Sequence, residues 1–380
     1  MNPAIGLNVF LLPNLENKKE TGSNMADDIV FSPLKIKNIT FRNRLGVAPM
    51  TRMSASADSI PRQDVFDFLI RRAENGAGVV YTEGVVTDYE SSQGYPGQAR
   101  ITTQKQIDAW GHVADKIRQH GAVSIMQIFH CGRVAWPDVN PAKRIIAPSA
   151  IAHGSKNNFT QEPYPVPDAM SRFDIDHVIN GFVETVKGAI EAGFDGVELH
   201  GAHGYLINEF MSSHSNLRED DYGGPIENRF RFVRELIHAV TPEIPDNRLL
   251  LFRISYWGTA DLDIFQYQTI DEWQALIKLL SAEKLDAISL STYDFRDKLF
   301  DSGKNLAQLT REVTDLPLLV CGKIYDYDSA TEALQNADIA LSGKSILLNP
   351  NWVEDVRQRK ALPLHKSEDA MKAYGNEKLL

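Results

Sequence analysis

Two cysteines, Cys131 and Cys321, are all that the 380 residues contain. Thiols so far apart supply no zinc-ligand spacing, no iron–sulfur array and no disulfide framework, and they fit a reducing cytosol. Long apolar runs are missing too, so no stretch reads as a membrane span. The apolar patch at 7–12 has no basic residue before it and makes a poor signal peptide. Excess basic charge is absent: the net charge of -10 argues against a nucleic-acid or anionic-membrane binder. A local basic pocket for one phosphate group stays compatible with it. Nucleotide motifs also fail. Gly76-Ala77-Gly78 begins a dinucleotide fingerprint that breaks at Tyr81, and Ser342-Gly343-Lys344-Ser345 imitates the end of a Walker A motif whose first glycine would fall on Asp338.

What is present is an ordinary soluble composition, 43% hydrophobic and 24% charged, enough to bury a large core. Residues 1–27 are polar without a sustained period and are expected to be a disordered extension. Residues 28–362 read as a single domain and 363–380 as a C-terminal tail. The segment 30–41 forms a hairpin around Lys37-Asn38. Short apolar runs follow at 45–48, 78–84, 122–129, 197–199, 249–254, 287–290, 318–320 and 339–341. Helical patterns come after them at 65–77, 103–120, 175–192, 226–240, 270–282, 306–313, 329–335 and 352–359. Eight buried strands, each followed by a helix, imply an α/β chain folded as a (β/α)8 TIM barrel, with the hairpin across its bottom. An open doubly wound sheet is the alternative, but no nucleotide-binding glycine turn follows the first strand. Between 131 and 173 the alternation pauses in a proline-containing stretch, read as a long capping loop after strand 3.

Chemistry-bearing residues collect where strands end. Gly322-Lys323 and Gly343-Lys344 close strands 7 and 8, the usual phosphate-binding loops of such barrels. A phosphate site without a dinucleotide fingerprint fits a mononucleotide cofactor, FMN. Thr51, Glu83-Gly84, Gln127 and Arg253 ring the barrel mouth, as a flavin's pyrimidine edge requires. His200, His203 and Tyr205 lie just past the fourth strand. The histidines read in three ways: as ligands of a metal, with Glu83 or Asp294 as weak further ligands; as packing; or as donors to a substrate oxygen with Tyr205 as proton donor. The run from Arg218 to Arg229 reads as a structural loop with a helix start at Pro225.

Taken together, Ala48-Pro49-Met50-Thr51-Arg52, Thr82-Glu83-Gly84, Gln127 and the block from Glu198 to Arg229 resemble the old yellow enzyme family of FMN-dependent ene-reductases. The likeness covers roughly 30–351. It implies that Ala48, Pro49, Met50 and Thr51 line the flavin and that Gly84 and Gln127 contact its pyrimidine ring. Arg253 is then expected near N1, with His200 also at the cofactor. Gly322, Lys323, Gly343 and Lys344 are expected to hold the FMN phosphate. His200 and His203 would grip a substrate carbonyl and Tyr205 would protonate the α-carbon, in a ping-pong reaction with NAD(P)H as donor and an electrophilic alkene as acceptor. Two departures stand out: Lys344 replaces the usual arginine, and Phe129 stands where some members carry tryptophan. The expectation is a cytoplasmic enzyme with a small-molecule substrate and no nucleic-acid or membrane partner, with a homo-oligomer left open. A metal-dependent barrel hydrolase or lyase using His200 and His203, and a non-catalytic FMN- or phosphate-binding barrel, remain the alternatives.

Overall fold

The barrel strands are β3 (Leu45–Val47), β4 (Val79–Val86), β5 (Val123–Phe129), β8 (Gly196–His203), β9 (Leu249–Gly258), β10 (Ala287–Ser291), β11 (Leu318–Cys321) and β12 (Ile339–Ser342). All pair in parallel in chain order, and β12 closes onto β3. The computed structural model describes residues 28–140, 142–157, 160–259 and 266–372. The expected extension 1–27 and residues 373–380 lie outside them.

Strand alternation decides what faces inward. Val79, Tyr81, Val123, Ile125, Leu249, Leu251, Leu319 and Ile339 fill the lower interior. The hairpin strands β1 (Leu34–Ile36) and β2 (Ile39–Phe41) plug that end, with Ile36 and Phe41 in the same cluster. Neighbouring positions such as Val80, Met126, Val197 and Phe252 face the helices instead. Two residues further along each strand the inward series turns polar: Gln127, Glu198, Arg253, Ser289 and Cys321. The barrel therefore has an aliphatic floor and a polar mouth.

Helices α1 (Gln63–Glu74), α2 (Gln104–Gln119), α3 (Arg172–Glu191), α7 (Ile270–Ser281), α8 (Leu306–Arg311), α9 (Tyr327–Ala333) and α11 (Trp352–Arg357) match the expected pattern within a few residues. Capping boxes at Thr103/Gln106 and Ser171/Asp174 fix where α2 and α3 begin. The single helix expected over 226–240 is two, α5 (Ile226–Arg229) and α6 (Arg231–Val240), meeting at Phe230. The α5 turn is tied to α7 by Arg229, which donates to Glu272 at 2.6 Å. Arg218 holds its own loop, donating to Asp220, Pro148 O and Met170 O.

Two further expectations are corrected. Strand 4 does not stop on His200; β8 continues to His203 because β9 also extends and keeps pairing with it, His200 against Arg253 and His203 against Gly258. The stretch 131–173 is not wholly irregular: β6 (Ile146–Ala147) and β7 (Asp168–Ala169) pair in parallel within it. Short helices α4 (Leu206–Met211) and α10 (Lys344–Leu348) sit directly on strand ends, and α12 (Ser367–Lys372), inside the expected tail, returns to α10 through Lys344 Nζ donating to Ser367 Oγ at 3.1 Å.

Candidate active site

At the polar mouth a cavity of about 120 Å³ is lined by Ala48, Pro49, Thr51, Gly84, Gln127, Phe129, His200, His203, Tyr205, Arg253, Ser291 and Cys321. Nine of these are residues singled out as site candidates from sequence. Met50 lies just outside, lining a smaller adjacent void, and its sulfur would sit 3.8 Å from a β-carbon on Gly343.

Strand register places the polar groups. Gln127 sits opposite Glu198, and His200 opposite Arg253. Glu198 is fully buried and its Oε1 accepts from Arg253 Nε at 2.7 Å and from Gln127 Nε2 at 2.8 Å. Burial works against the guanidinium, but the Glu198 carboxylate keeps Arg253 charged, its pKa above the ordinary arginine value. Glu198 is thus the hub that orients both expected pyrimidine contacts, and sequence reasoning missed it.

Two atoms bear on which group this cavity would accept. Arg253 Nη2 and His200 Nδ1 are buried with no hydrogen-bond partner among the described residues, a cost that a bound polar group removes. At Gly84 an added β-carbon would fall 2.7 Å from the Phe129 ring, so the wall there has space for backbone alone. Lys323 pairs with Asp294 at 3.2 Å, and Lys344 is held below its ordinary pKa by burial and then by Lys323. Two cations near enough to repel each other, at the ends of strands 7 and 8, are what an anionic phosphate would neutralise. Gly322, at φ 129°, supplies the left-handed turn just before Lys323. These features fit FMN.

The histidine pair forms the opposite wall. The His200 and His203 ring centroids are 4.9 Å apart. His200 is driven well below the usual histidine range by burial, then by His203 and Arg253. His203 falls to about 3 through burial and Arg253. Both are therefore neutral at pH 7. His203 adopts φ 63°, stacks on Trp257 at 4.3 Å, and its Nε2 lies 2.7 Å from Ser291 Oγ. Its left-handed backbone, at the register shift in β8, turns the ring toward the mouth. Tyr205 follows at the start of α4, 5.3 Å from His200 by ring centroids. Burial and Cys131 raise its pKa, and the hydrogen bond with Tyr95, 2.6 Å between hydroxyls, opposes the rise. Either hydroxyl of this pair can be the donor, so Tyr95 is placed to exchange a proton with Tyr205. Phe129 packs on both His200 and Tyr205, at 5.6 and 5.1 Å.

The suggested metal ligands do not join the pair. Asp294 pairs with Lys323, while Glu83 accepts from the Arg52 backbone N–H at 3.1 Å. Among the described residues no three His, Cys, Asp or Glu side chains group to hold a metal. No helix among them is long and apolar enough to cross a membrane.

Comparison with known proteins agrees with this geometry. Residues 29–363 match the model of the NADH:flavin oxidoreductase / NADH oxidase family. A probable flavin mononucleotide-dependent alkene reductase of Leishmania infantum is 32% identical over 90% of this chain and 93% of its own. Among solved structures, the old yellow enzyme homologue of Zymomonas mobilis superposes with a TM-score of 0.80 at 27% identity, covering 91% of this chain and 96% of that one. A morphinone reductase variant in complex with tetrahydroNAD gives 0.79 at 25% identity, covering 92% and 95%. The chain belongs to the NADH:flavin oxidoreductase / NADH oxidase family, as an FMN-dependent oxidoreductase of the old yellow enzyme type that draws on NAD(P)H.

Proposed function

We propose that this oxidoreductase reduces the activated C=C bond of α,β-unsaturated carbonyl and related electrophilic compounds. One observation carries the reading: two neutral histidines and a tyrosine hydroxyl open onto the cavity that holds the unpartnered Arg253 Nη2. Neutral imidazoles are hydrogen-bond donors without a full charge, suited to an oxygen that gains negative charge only as the reaction proceeds. FMN, when bound, supplies the hydride equivalent taken from NAD(P)H.

The chain's own groups do the rest. Gly322, Lys323, Gly343 and Lys344 would hold the cofactor phosphate. Ala48, Pro49, Met50 and Thr51 would line its ring system, and Gly84, Gln127 and Arg253 would meet its pyrimidine edge. The histidine pair binds the substrate carbonyl oxygen, with His200 also touching the cofactor, and polarises the alkene so that its β-carbon accepts hydride. Tyr205 delivers the proton to the α-carbon, which balances the addition, and its lost proton is replaced through Tyr95. Phe129 shapes the substrate side of the pocket. A single domain over 28–362 contains all of these residues. The two free cysteines suit a cytoplasmic setting.

The test is direct. Purified FMN-loaded protein is expected to bleach under anaerobic NADH or NADPH and to recolour on addition of cyclohexenone. Recolouring by oxygen but by no electron-poor alkene would overturn the proposal.

A further inference from the structure

We infer that Cys321 and Ser291 are positioning residues that fix the tautomer of His203, carrying the orientation of Arg253 across the mouth to the substrate-polarising ring. The inference deepens the reading above. It starts from four side chains in sequence: Arg253 Nη1 lies 3.4 Å from Cys321 Sγ, Cys321 Sγ lies 3.5 Å from Ser291 Oγ, and Ser291 Oγ lies 2.7 Å from His203 Nε2. Strand pairing sets Ser291 and Cys321 side by side, so the contact is built by the barrel and not by a mobile loop.

The first member fixes the start of this chain, and we assign the direction of the rest. A guanidinium has donors and no acceptor. Cys321 sulfur therefore accepts from Arg253, which leaves its S–H for Ser291. In the arrangement we assign, the serine oxygen accepts that S–H and gives its single hydroxyl proton to His203 Nε2. Nε2 is then unprotonated, and the neutral ring carries its proton on Nδ1, which makes no hydrogen bond among the described residues. Trp257 limits rotation of the ring from one face. In the opposite tautomer Nε2–H would donate to the serine and Nδ1 would be a lone pair. Placed against a carbonyl oxygen, that lone pair would repel the substrate instead of polarising it.

Neither Cys321 nor Ser291 reacts with the substrate in this account. They act through His203, and a purely structural role for them would leave its proton where it is. The decisive readout is the 15N spectrum of histidine-labelled FMN-bound protein, with the His203 signals assigned by their loss in His203→Asn. The expected wild-type pattern is a protonated Nδ1 and an unprotonated Nε2. Ser291→Ala is expected to release the preference and slow enone-driven reoxidation on the order of a hundredfold, the size of losing one aimed donor. Cys321→Ser keeps a donor at that position and is expected to keep the wild-type tautomer. A wild-type ring protonated on Nε2, or a Ser291→Ala spectrum unchanged at His203, would overturn the inference. Because the spectrum needs no turnover, a correct tautomer in a protein inert to every enone supports this inference and refutes the ene-reductase reading alone.

Discussion

Glu198→Gln removes one charge from the best-buried ion pair among the described residues. Glu198 is fully buried, and Arg253 is 2% exposed. Unit charges 4 Å apart attract by about 4 kcal/mol at an effective dielectric near 20. Breaking such a buried pair from one side costs about 3–5 kcal/mol, because the remaining charge stays desolvated. Arg253 Nε and Gln127 Nε2 already share Oε1, so an amide oxygen there can keep both bonds and the loss is one of charge. The expected result is a loss of about 3–5 kcal/mol in urea unfolding at fixed FMN concentration. Glu198→Leu combined with Arg253→Met removes both charges and should recover most of that loss, while weakening FMN binding by deleting a cofactor contact. A single-variant loss below about 1 kcal/mol would refute the claim that Glu198 is the hub of this wall.

Two further outcomes follow from the same geometry. Lys344→Arg restores a planar fork at the phosphate end and is expected to tighten FMN binding severalfold by fluorescence titration, whereas Lys344→Ala should loosen it. Stability should peak near pH 6.5. His130 and His153 are held at about 4 and His203 at about 3, mainly by burial. As pH falls through the ordinary histidine value, the unfolded chain takes up protons the folded one refuses, costing about 3 kcal/mol for His130 and His153 and about 5 kcal/mol for His203 by the time the folded values are reached. Burial raises Glu83 to about 7 and Glu209 to about 8, so the folded chain keeps protons the unfolded chain sheds, and stability falls as pH rises from 4.5 through those values. Denaturation midpoints across pH check both limbs; a flat profile between pH 4 and 8 would contradict them.

Much of the fold was legible because its signals are local. Eight aliphatic runs mark strands buried on both faces, and the Gly-Lys pairs and the His-Tyr cluster fall where a barrel presents its chemistry. What escaped depends on non-local pairing. Glu198 stands inside an apolar run, and only register against Gln127 and the neighbouring Arg253 gives it a role, although the inward alternation of 198 and 200 carried a hint. Ser291 and Cys321 are small residues at strand ends with no periodic mark; the barrel brings them to His203. Tyr95 reaches Tyr205 from a loop 110 residues away. The reach of β8 to His203 is set by β9 and not by its own composition. Helices α4 and α10 are too short to show a helical period.

The central claim is that His200 and His203 act on the substrate's oxygen and not as ligands or packing. The measurement that bears on it most directly is anaerobic stopped-flow reoxidation of the reduced His200→Ala, His203→Ala double variant. It should retain FMN, reoxidise with oxygen at the wild-type rate, and lose reoxidation by cyclohexenone on the order of a thousandfold. A double variant that keeps its flavin and still reduces cyclohexenone at the wild-type rate would contradict the account.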